Sequence, residues 1–274
     1  MIAGFLITLR EGLEAALIVG LTLGVLRMMK RPQLRGSVWA GVGAATAISL
    51  GVALLLQRVG SSLQGPAEVV FEGLAMLLAA AVLTWMIFWM QRQGRKTQEG
   101  LERNVRMAVG EGQRLGLFGI AFFAVLREGV ETALFLTAAA VSGTALDTLV
   151  GGVVGLAAAV LLGWGLFAST IRLDVRRFFL VTSLLLILFA AGLVGQGVHE
   201  LNEAGWIPGL IEPVWDVNPV MNDEAGLGLM LKAVFGYHGD PSLTEVVSYV
   251  AYFALVLVGI RRAQVREGLS PQRA

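Results

Sequence analysis

Two apolar stretches of this chain carry nearly the same charged phrase, and that repetition restricts the fold more than any other feature. Residues 9–17 (the first motif) read LREGLEAAL, and residues 126–134 (the second motif) read LREGVETAL, with seven identical positions at an offset of 117 residues. Charged side chains inside a bilayer are costly and rare, and where they occur they usually serve a function. The two motifs therefore predict a membrane carrier for a positively charged ion.

The composition of the chain agrees with a membrane protein. Hydrophobic residues make up 56% of the sequence and charged residues only 15%, whereas a soluble domain carries about 25% charged residues. The chain contains no cysteine, which excludes disulfides and thiolate metal ligands. Its net charge of +1 does not indicate nucleic-acid binding, because the basic residues are segregated into loops.

Seven stretches are long and apolar enough to form transmembrane helices, each of which needs about 20 residues. They cover residues 2–26, 37–56, 66–90, 115–141, 146–170, 178–198 and 245–260. We also expect a solvated helix in the loop 91–114 and a short interfacial or re-entrant helix over residues 225–235. The sequence therefore predicts an all-α integral membrane protein with a single transmembrane domain over residues 1–274.

The distribution of lysine and arginine between the loops predicts the orientation, because cytoplasmic loops carry an excess of both. The loops after the first, third and fifth stretches and the C-terminal tail are basic, whereas the other three loops hold few bases. We therefore predict the N-terminus outside and the C-terminus inside, which makes the two motifs antiparallel. This arrangement is an inverted 3+3 repeat plus a seventh helix. Its parts are residues 1–90 (first repeat), 115–198 (second, inverted repeat), 199–244 (outer loop), 245–261 (seventh helix) and 262–274 (cytoplasmic tail).

Each motif places one arginine and two glutamates on one face of its helix. At 100° per residue, Arg10, Glu14 and Glu11 lie at about 0°, 40° and 100° around the axis, and Arg127, Glu131 and Glu128 repeat this spacing. Both motifs lie about halfway through a hydrocarbon core about 30 Å thick, so we expect them to meet there. Their four carboxylates and two guanidiniums leave a formal charge of −2. Such a site favours a hard multivalent cation such as Mg²⁺, Ca²⁺, Mn²⁺ or Fe³⁺.

These considerations assign a role to each charged residue of the motifs. The predicted metal ligands are Glu11, Glu14, Glu128 and Glu131, and the predicted ion-pair or gating residues are Arg10 and Arg127. A purely structural ion pair needs one glutamate per arginine, and here there are two. We also expect Gly12 and Gly129 to remove a side chain beside the carboxylates, so that the helix carrying the other motif can approach.

Further polar residues near the outer side form a candidate access route for the cation. They are Glu72, His199, Glu200 and Glu203, whereas we expect His238 to be an ordinary loop residue. The same carboxylates also fit a transporter of another hard or divalent metal ion, or a proton-coupled exchanger. An intramembrane acid/base enzyme is a second alternative, although the stretch from His199 to Glu203 lacks the second histidine of a metalloprotease HExxH motif. We therefore predict a membrane transporter and not an enzyme.

The paired motifs resemble those of the oxidase-dependent iron permeases, which include fungal ferric permeases and bacterial iron-uptake permeases. The resemblance covers essentially the whole chain and extends to Phe71-Glu72-Gly73, Gly197-Val198-His199-Glu200-Leu201, Glu203-Ala204-Gly205, Leu231-Lys232-Ala233-Val234 and Gly236-Tyr237. It implies seven membrane helices and uptake of iron, as Fe³⁺ in the fungal members, through glutamates that match Glu11, Glu14, Glu128 and Glu131.

The resemblance also implies a setting and partners for a bacterial-type member. We expect an integral protein of the cytoplasmic (bacterial inner) membrane that contacts the lipid bilayer and carries the iron ion as its substrate. No permanently bound cofactor is expected. The family further implies a periplasmic or extracellular partner protein that oxidises or delivers iron, and we expect no nucleic-acid partner.

Overall fold

A computed structural model describes residues 1–110, 113–168, 174–223 and 226–268. These residues form helices and loops and contain no strand, which confirms the all-α prediction. The helices are α1 (Ile2–Met28), α2 (Arg35–Ser62), α3 (Pro66–Gly110), α4 (Arg114–Val141), α5 (Ala145–Ala168), α6 (Val175–Glu203), α7 (Gly226–Phe235) and α8 (Leu243–Gly268). A short 3-10 helix, Pro32–Leu34, precedes α2.

Each predicted helix corresponds to an observed one, but α6 and α8 are longer than the predicted 178–198 and 245–260. Residues 169–170 of the predicted stretch 146–170 lie outside the described residues. The largest difference follows residue 90. There, the predicted membrane helix and the separate helix in the following loop form one continuous helix α3 of 45 residues. No proline interrupts residues 67–110, so the backbone can keep its helical hydrogen bonds throughout. The predicted short helix at 225–235 corresponds to α7, and residue 225 itself lies outside the described residues. The predicted tail begins within α8, and its residues 269–274 also lie outside them.

Five of the described helical segments are long and apolar enough to cross a membrane. They are Pro32–Ser62, Pro66–Met90, Ala145–Leu166, Arg177–Glu203 and Leu243–Arg262. The helices α1 and α4 are similarly long, at 27 and 28 residues, but each contains the three charged residues of its motif. Large apolar side chains are exposed on these segments, including Leu149, Val153, Leu161, Leu184 and Leu255. Such surfaces are typical of helices that face lipid.

Residues 1–62 and 95–182 form one compact unit of the chain. Within it, α1 packs along α5, α2 packs along α4, and α1 also contacts α4. Small residues allow the first of these pairs to approach closely. A methyl group added at Gly155 of α5 would overlap Thr8 and the backbone of Phe5 on α1. Close packing through small residues is the usual way in which helices associate in lipid.

The same unit has an apolar cluster where α1, α2, α3 and α4 meet. Its buried members are Val25, Leu26, Leu34, Val38, Val105, Ala108, Val109, Leu117 and Ala121. Because Val105, Ala108 and Val109 belong to the last turns of α3, burial of these side chains stabilises the long helix. This packing explains why α3 does not end at the membrane boundary that the hydropathy pattern predicts.

Residues 63–94 and 183–274 form the second compact unit. A methyl group added at Gly73 of α3 would lie 2.9 Å from the carbonyl oxygen of Gly197 on α6, so these two helices touch backbone to backbone. Gln196 Nε2 donates a 2.8 Å hydrogen bond to the Lys232 carbonyl oxygen and so holds α7 against α6. The hydroxyl groups of Thr84 and Tyr252 lie 2.9 Å apart and join α3 to α8.

Candidate metal site on helices α1 and α4

The charged residues of both motifs come together inside the first unit. Helical periodicity aligns them on one face of each helix, and the contact between α1 and α4 brings the two faces together. All four glutamates are buried, with Glu11 and Glu128 only 1% and 2% exposed. Sequence reasoning therefore predicted the convergence of these residues, and their role in binding a metal stays a prediction.

The arginine of the first motif pairs with both glutamates of its own helix. Arg10 Nη1 donates a 2.7 Å hydrogen bond to Glu11 Oε1, and Arg10 Nη2 lies 3.1 Å from Glu14 Oε1. The whole Arg10 side chain is inaccessible to solvent. Burying a guanidinium is costly unless carboxylates compensate its charge. The two glutamates supply that compensation.

The arginine of the second motif connects the two helices. Arg127 Nε donates a 2.9 Å hydrogen bond to Glu128 Oε1 and lies 3.7 Å from Glu131 Oε1. Arg127 Nη2 also contacts Glu128 Oε1 and lies 3.8 Å from Glu14 Oε2 on α1. In contrast to Arg10, the Arg127 side chain is 39% exposed. The second motif therefore reaches across to the first through an accessible side chain.

Three of the carboxylates point toward a common centre. One oxygen from each of Glu11, Glu128 and Glu131 lies within 4.8 Å of the others. The Oε2 atom of each of these glutamates is buried, and among the described residues none donates a hydrogen bond to it. A buried carboxylate oxygen without a donor is unfavourable. A multivalent cation bound by these three glutamates would compensate such oxygens.

The glycines of the motifs allow close packing, but of helices other than the expected ones. A methyl group added at Gly12 would lie 2.8 Å from the methyl group of Ala159 on α5. One added at Gly129 would lie 2.6 Å from Cβ of Ser49 on α2 and would overlap its hydroxyl oxygen. We expected these glycines to admit the helix that carries the other motif. Instead, Gly12 packs α1 against α5, and Gly129 packs α4 against α2.

The residues predicted for the access route belong to the second unit. Glu72 and Glu200 are half-buried where α3 and α6 meet beside Gly73, and their like charges repel. At the end of α6, His199 Nε2 lies 3.3 Å from Glu203 Oε1. A route for cations through these residues stays a prediction.

Sequence reasoning missed two polar residues that lie beside His199. Glu245, in the first turn of α8, and His238, which we expected to be an ordinary loop residue, are both largely buried, with side chains 5% and 16% exposed. A sequence signal for Glu245 was present. Residues 242–245 read SLTE, which is the S-x-x-E pattern of a helix capping box. No comparable local pattern marks His238.

Comparison with known proteins identifies the family. The sequence matches the Iron permease FTR1 family over residues 1–266. It is 36% identical over 260 residues to the ferrous iron permease EfeU of Escherichia coli (strain UTI89 / UPEC) and to that of Shigella sonnei (strain Ss046), covering 94% of this chain and 94% of each relative. The ferrous iron permease EfeU of Yersinia pestis is 34% identical, with 94% of this chain and 92% of the relative covered.

No solved structure matches the chain. The family match nevertheless spans nearly all of the sequence, including both motifs and the residues of the second unit. The relatives are permeases, which are transporters and not enzymes. The chain therefore belongs to the FTR1 iron permease family.

Proposed function

We propose that this protein takes up iron across the cytoplasmic membrane and binds it through Glu11, Glu14, Glu128 and Glu131. The observation that carries the proposal is the set of buried oxygens on Glu11, Glu128 and Glu131 that lack hydrogen-bond donors among the described residues. Oxygens from three of these side chains already lie within 4.8 Å of one another. Iron in either oxidation state binds carboxylate oxygens, and a set of oxygen ligands alone favours the harder ion, Fe³⁺.

The oxidation state is a separate part of the proposal. The relatives are named ferrous iron permeases. Because this cluster has a formal charge of −2 and no sulfur or nitrogen donor among its predicted ligands, we propose that Fe³⁺ occupies it. A periplasmic or extracellular partner protein would then oxidise or deliver the iron.

The arginines give the site a mechanism. In our proposal, an arriving cation displaces Arg10 and Arg127 from the glutamates, which then coordinate the ion. Departure of the ion to the cytoplasmic side allows the ion pairs to form again. The membrane potential favours inward movement by about 2.3 kcal/mol per charge per 100 mV.

Uptake of labelled iron tests the role of the glutamates. In cells that depend on this protein for iron, we expect Glu14→Gln and Glu131→Gln each to lower the uptake rate at least about tenfold. Loss of a residue that only supports a metal ligand already lowers metal affinity or activity about 10- to 100-fold, and these glutamates are proposed ligands. Glu212→Gln is a matched control, since Glu212 is exposed in the outer loop. The uptake rate should be measured once with Fe²⁺ kept reduced and once with chelated Fe³⁺, and the two rates compared. Near-normal uptake in both motif variants would remove these residues from the transport path.

We further propose seven membrane helices, arranged as an inverted 3+3 repeat plus a seventh helix, with the N-terminus outside. The pairing of α1 with α5 and of α4 with α2 supports a repeat, because a two-fold relation between the halves exchanges these pairs. The chain contains no cysteine, so single cysteines can be introduced without background labelling. Cysteines replacing the exposed Gln64 and Thr144 should react with an impermeant maleimide from outside, whereas one replacing the exposed Gln33 should not. The reverse pattern would contradict the orientation.

A further inference from the structure

A second cluster of metal-binding side chains lies in the other unit of the chain. The sequence contains two histidines, and the structure places both of them in this cluster. The rings of His199, near the end of α6, and His238, in the loop before α8, stand edge to face with their centroids 4.4 Å apart. The two histidines are widely separated in sequence, so the fold brings them together.

Carboxylates face both nitrogens of each ring. Glu245 Oε1 lies 3.0 Å from His238 Nδ1 and 3.5 Å from His199 Nδ1, so it stands between the two rings. On the far side of His199, Nε2 lies 3.3 Å from Glu203 Oε1. On the far side of His238, Nε2 lies 3.3 Å from Asp240 Oδ1 and 3.6 Å from Asp223 Oδ2.

This arrangement is unfavourable for neutral rings in the absence of a cation. A neutral imidazole donates through one nitrogen and accepts through the other, while an ionised carboxylate only accepts. With carboxylates at both nitrogens, each neutral ring must direct one lone pair at a carboxylate oxygen. Either a second proton on each ring or a shared metal ion removes this repulsion. A single divalent ion would accept lone pairs from both rings without placing two like-charged imidazolium rings side by side.

The charge of the cluster also favours a cation. Four carboxylates belong to it (Glu203, Asp223, Asp240 and Glu245), and Lys232 Nζ lies 3.5 Å from Asp223 Oδ2. With neutral rings, four negative charges and one positive charge leave a formal charge of −3. Glu245 and Asp223 have only 5% and 8% of their side chains exposed, so water screens their charges weakly.

Neighbouring groups hold the central carboxylate in position. The backbone N–H of Ser242 donates a 2.8 Å hydrogen bond to Glu245 Oε2, and the N–H of Glu245 donates one of 3.2 Å to Ser242 Oγ. This capping box at the start of α8 occupies Oε2 and leaves Oε1 directed at the two rings. Asn218 Nδ2 donates a 3.0 Å hydrogen bond to Asp240 Oδ1. Such outer contacts are typical of metal sites, where they orient the ligands.

We propose that His199, His238 and Glu245 form a second metal site that binds a divalent transition-metal ion, while Asp223 and Asp240 orient the His238 ring from its Nε2 side. Ligand atoms of the first three residues lie within 4.8 Å of one another, as do those of Asp223, His238 and Asp240. Two imidazole nitrogens select ions such as Fe²⁺, Mn²⁺, Co²⁺ or Zn²⁺ over Mg²⁺ and Ca²⁺. This site differs in donor chemistry from the oxygen ligands on α1 and α4, and it does not depend on the function proposed for them.

Protection of the histidines from diethyl pyrocarbonate tests the proposal directly. The full-length protein, purified in detergent without a histidine tag, contains only these two histidines, so the absorbance of the modified rings reports on the cluster alone. We expect Co²⁺ to protect both rings, and Ca²⁺ at the same concentration to leave them reactive. Bound Mn²⁺ should show ¹⁴N modulation from imidazole in its spin-echo signal.

Variants separate this site from the carboxylates of α1 and α4. We expect His238→Gln and His199→Gln each to weaken Co²⁺ binding at least about tenfold, because each removes one ligand, while thermal melting checks that the variants are folded. Glu11→Gln with Glu131→Gln should leave the protection unchanged, even if it abolishes iron uptake. Equal modification of the wild-type rings with and without Co²⁺, or equal protection by Ca²⁺, would overturn the proposal and leave a network of protonated histidines.

Discussion

The two motifs share seven of nine residues, yet the structure gives their arginines different surroundings. Arg10 is fully buried and pairs with Glu11 and Glu14 on its own helix. Arg127 exposes 39% of its side chain and pairs both with Glu128 on its own helix and with Glu14 on α1. The same residue type is therefore inaccessible to solvent in one motif and partly accessible in the other.

This difference suggests that the two arginines have different roles in cation binding. A buried guanidinium leaves its carboxylates only at a large desolvation cost, so we expect the displacement of Arg10 to be the more costly of the two. Water can solvate a half-exposed guanidinium, so Arg127 can leave its partners at a lower cost. We expect Arg127 to be the first arginine to give way when a cation enters.

The largest difference should appear when each arginine is replaced by methionine. We expect Arg10→Met to lower the free energy of unfolding by about 3–5 kcal/mol, because buried carboxylates lose their counter-charge. Arg127→Met should cost less, about 1–3 kcal/mol, because the lost guanidinium is partly solvated but the buried Glu128 still loses its hydrogen-bond donor. Thermal unfolding in detergent measures both values, with the exposed Arg58→Met as a control. Equal destabilisation by the two motif variants would contradict the distinction.

A smaller difference is expected from the glycines of the motifs. Gly129→Ala should destabilise the protein by about 1–3 kcal/mol, because the added methyl group would lie 2.6 Å from Ser49 Cβ. Gly12→Ala should cost less, since its nearest neighbour is Ala159 Cβ at 2.8 Å. A methyl group at Gly43 has no neighbour within 4 Å, so Gly43→Ala serves as the control.

Compensating substitutions distinguish steric overlap from other causes. Ser49→Gly should restore the stability of Gly129→Ala, whereas Ser49→Ala should restore less of it, because its methyl group keeps the overlapping carbon. In the same way, Ala159→Gly should compensate Gly12→Ala. Failure of Ser49→Gly to restore stability would show that contact with α2 is not the reason for glycine at residue 129.

The smallest effect concerns the ion pair between the motifs. A double-mutant cycle with Arg127→Met and Glu14→Gln should give a coupling free energy below about 1 kcal/mol, because Arg127 Nη2 lies 3.8 Å from Glu14 Oε2 and is partly exposed. The matched cycle with Arg10→Met should give a larger coupling, since that pair is buried and 3.1 Å long. Unfolding in detergent at low and high salt supplies both values. A larger coupling free energy for Arg127 than for Arg10 would contradict the proposal that Arg127 is displaced first.

The sequence was sufficient to predict features that depend on local patterns. The bounds of α1 and α4 follow from the length of their apolar runs, and the grouping of Glu11 with Glu14 follows from helical spacing. The meeting of the two motifs was predicted from the similar depth that the proposed inverted repeat gives them. Each of these inferences needs only residues within one helix or the comparison of two similar stretches.

Features that depend on packing between distant residues were not predictable. The extension of α3 to Gly110 depends on the burial of Val105 and Val109 against other helices, and no sequence pattern encodes that contact. Similarly, His238 lies in a loop without periodicity, and only the folded chain brings it beside His199. The approach of Ser49 to Gly129 likewise depends on which helices are neighbours.

The tight contacts at Gly12 and Gly129 restrict how the carboxylate cluster can open. Neither contact leaves space for one additional carbon atom, so sliding of α1 along α5, or of α4 along α2, would bring larger side chains into these positions. Each pair should therefore move as a rigid two-helix block. We expect the two blocks to separate between α1 and α4. There, Arg127 Nη2 lies 3.8 Å from Glu14 Oε2, and this partly exposed ion pair breaks at little cost in free energy.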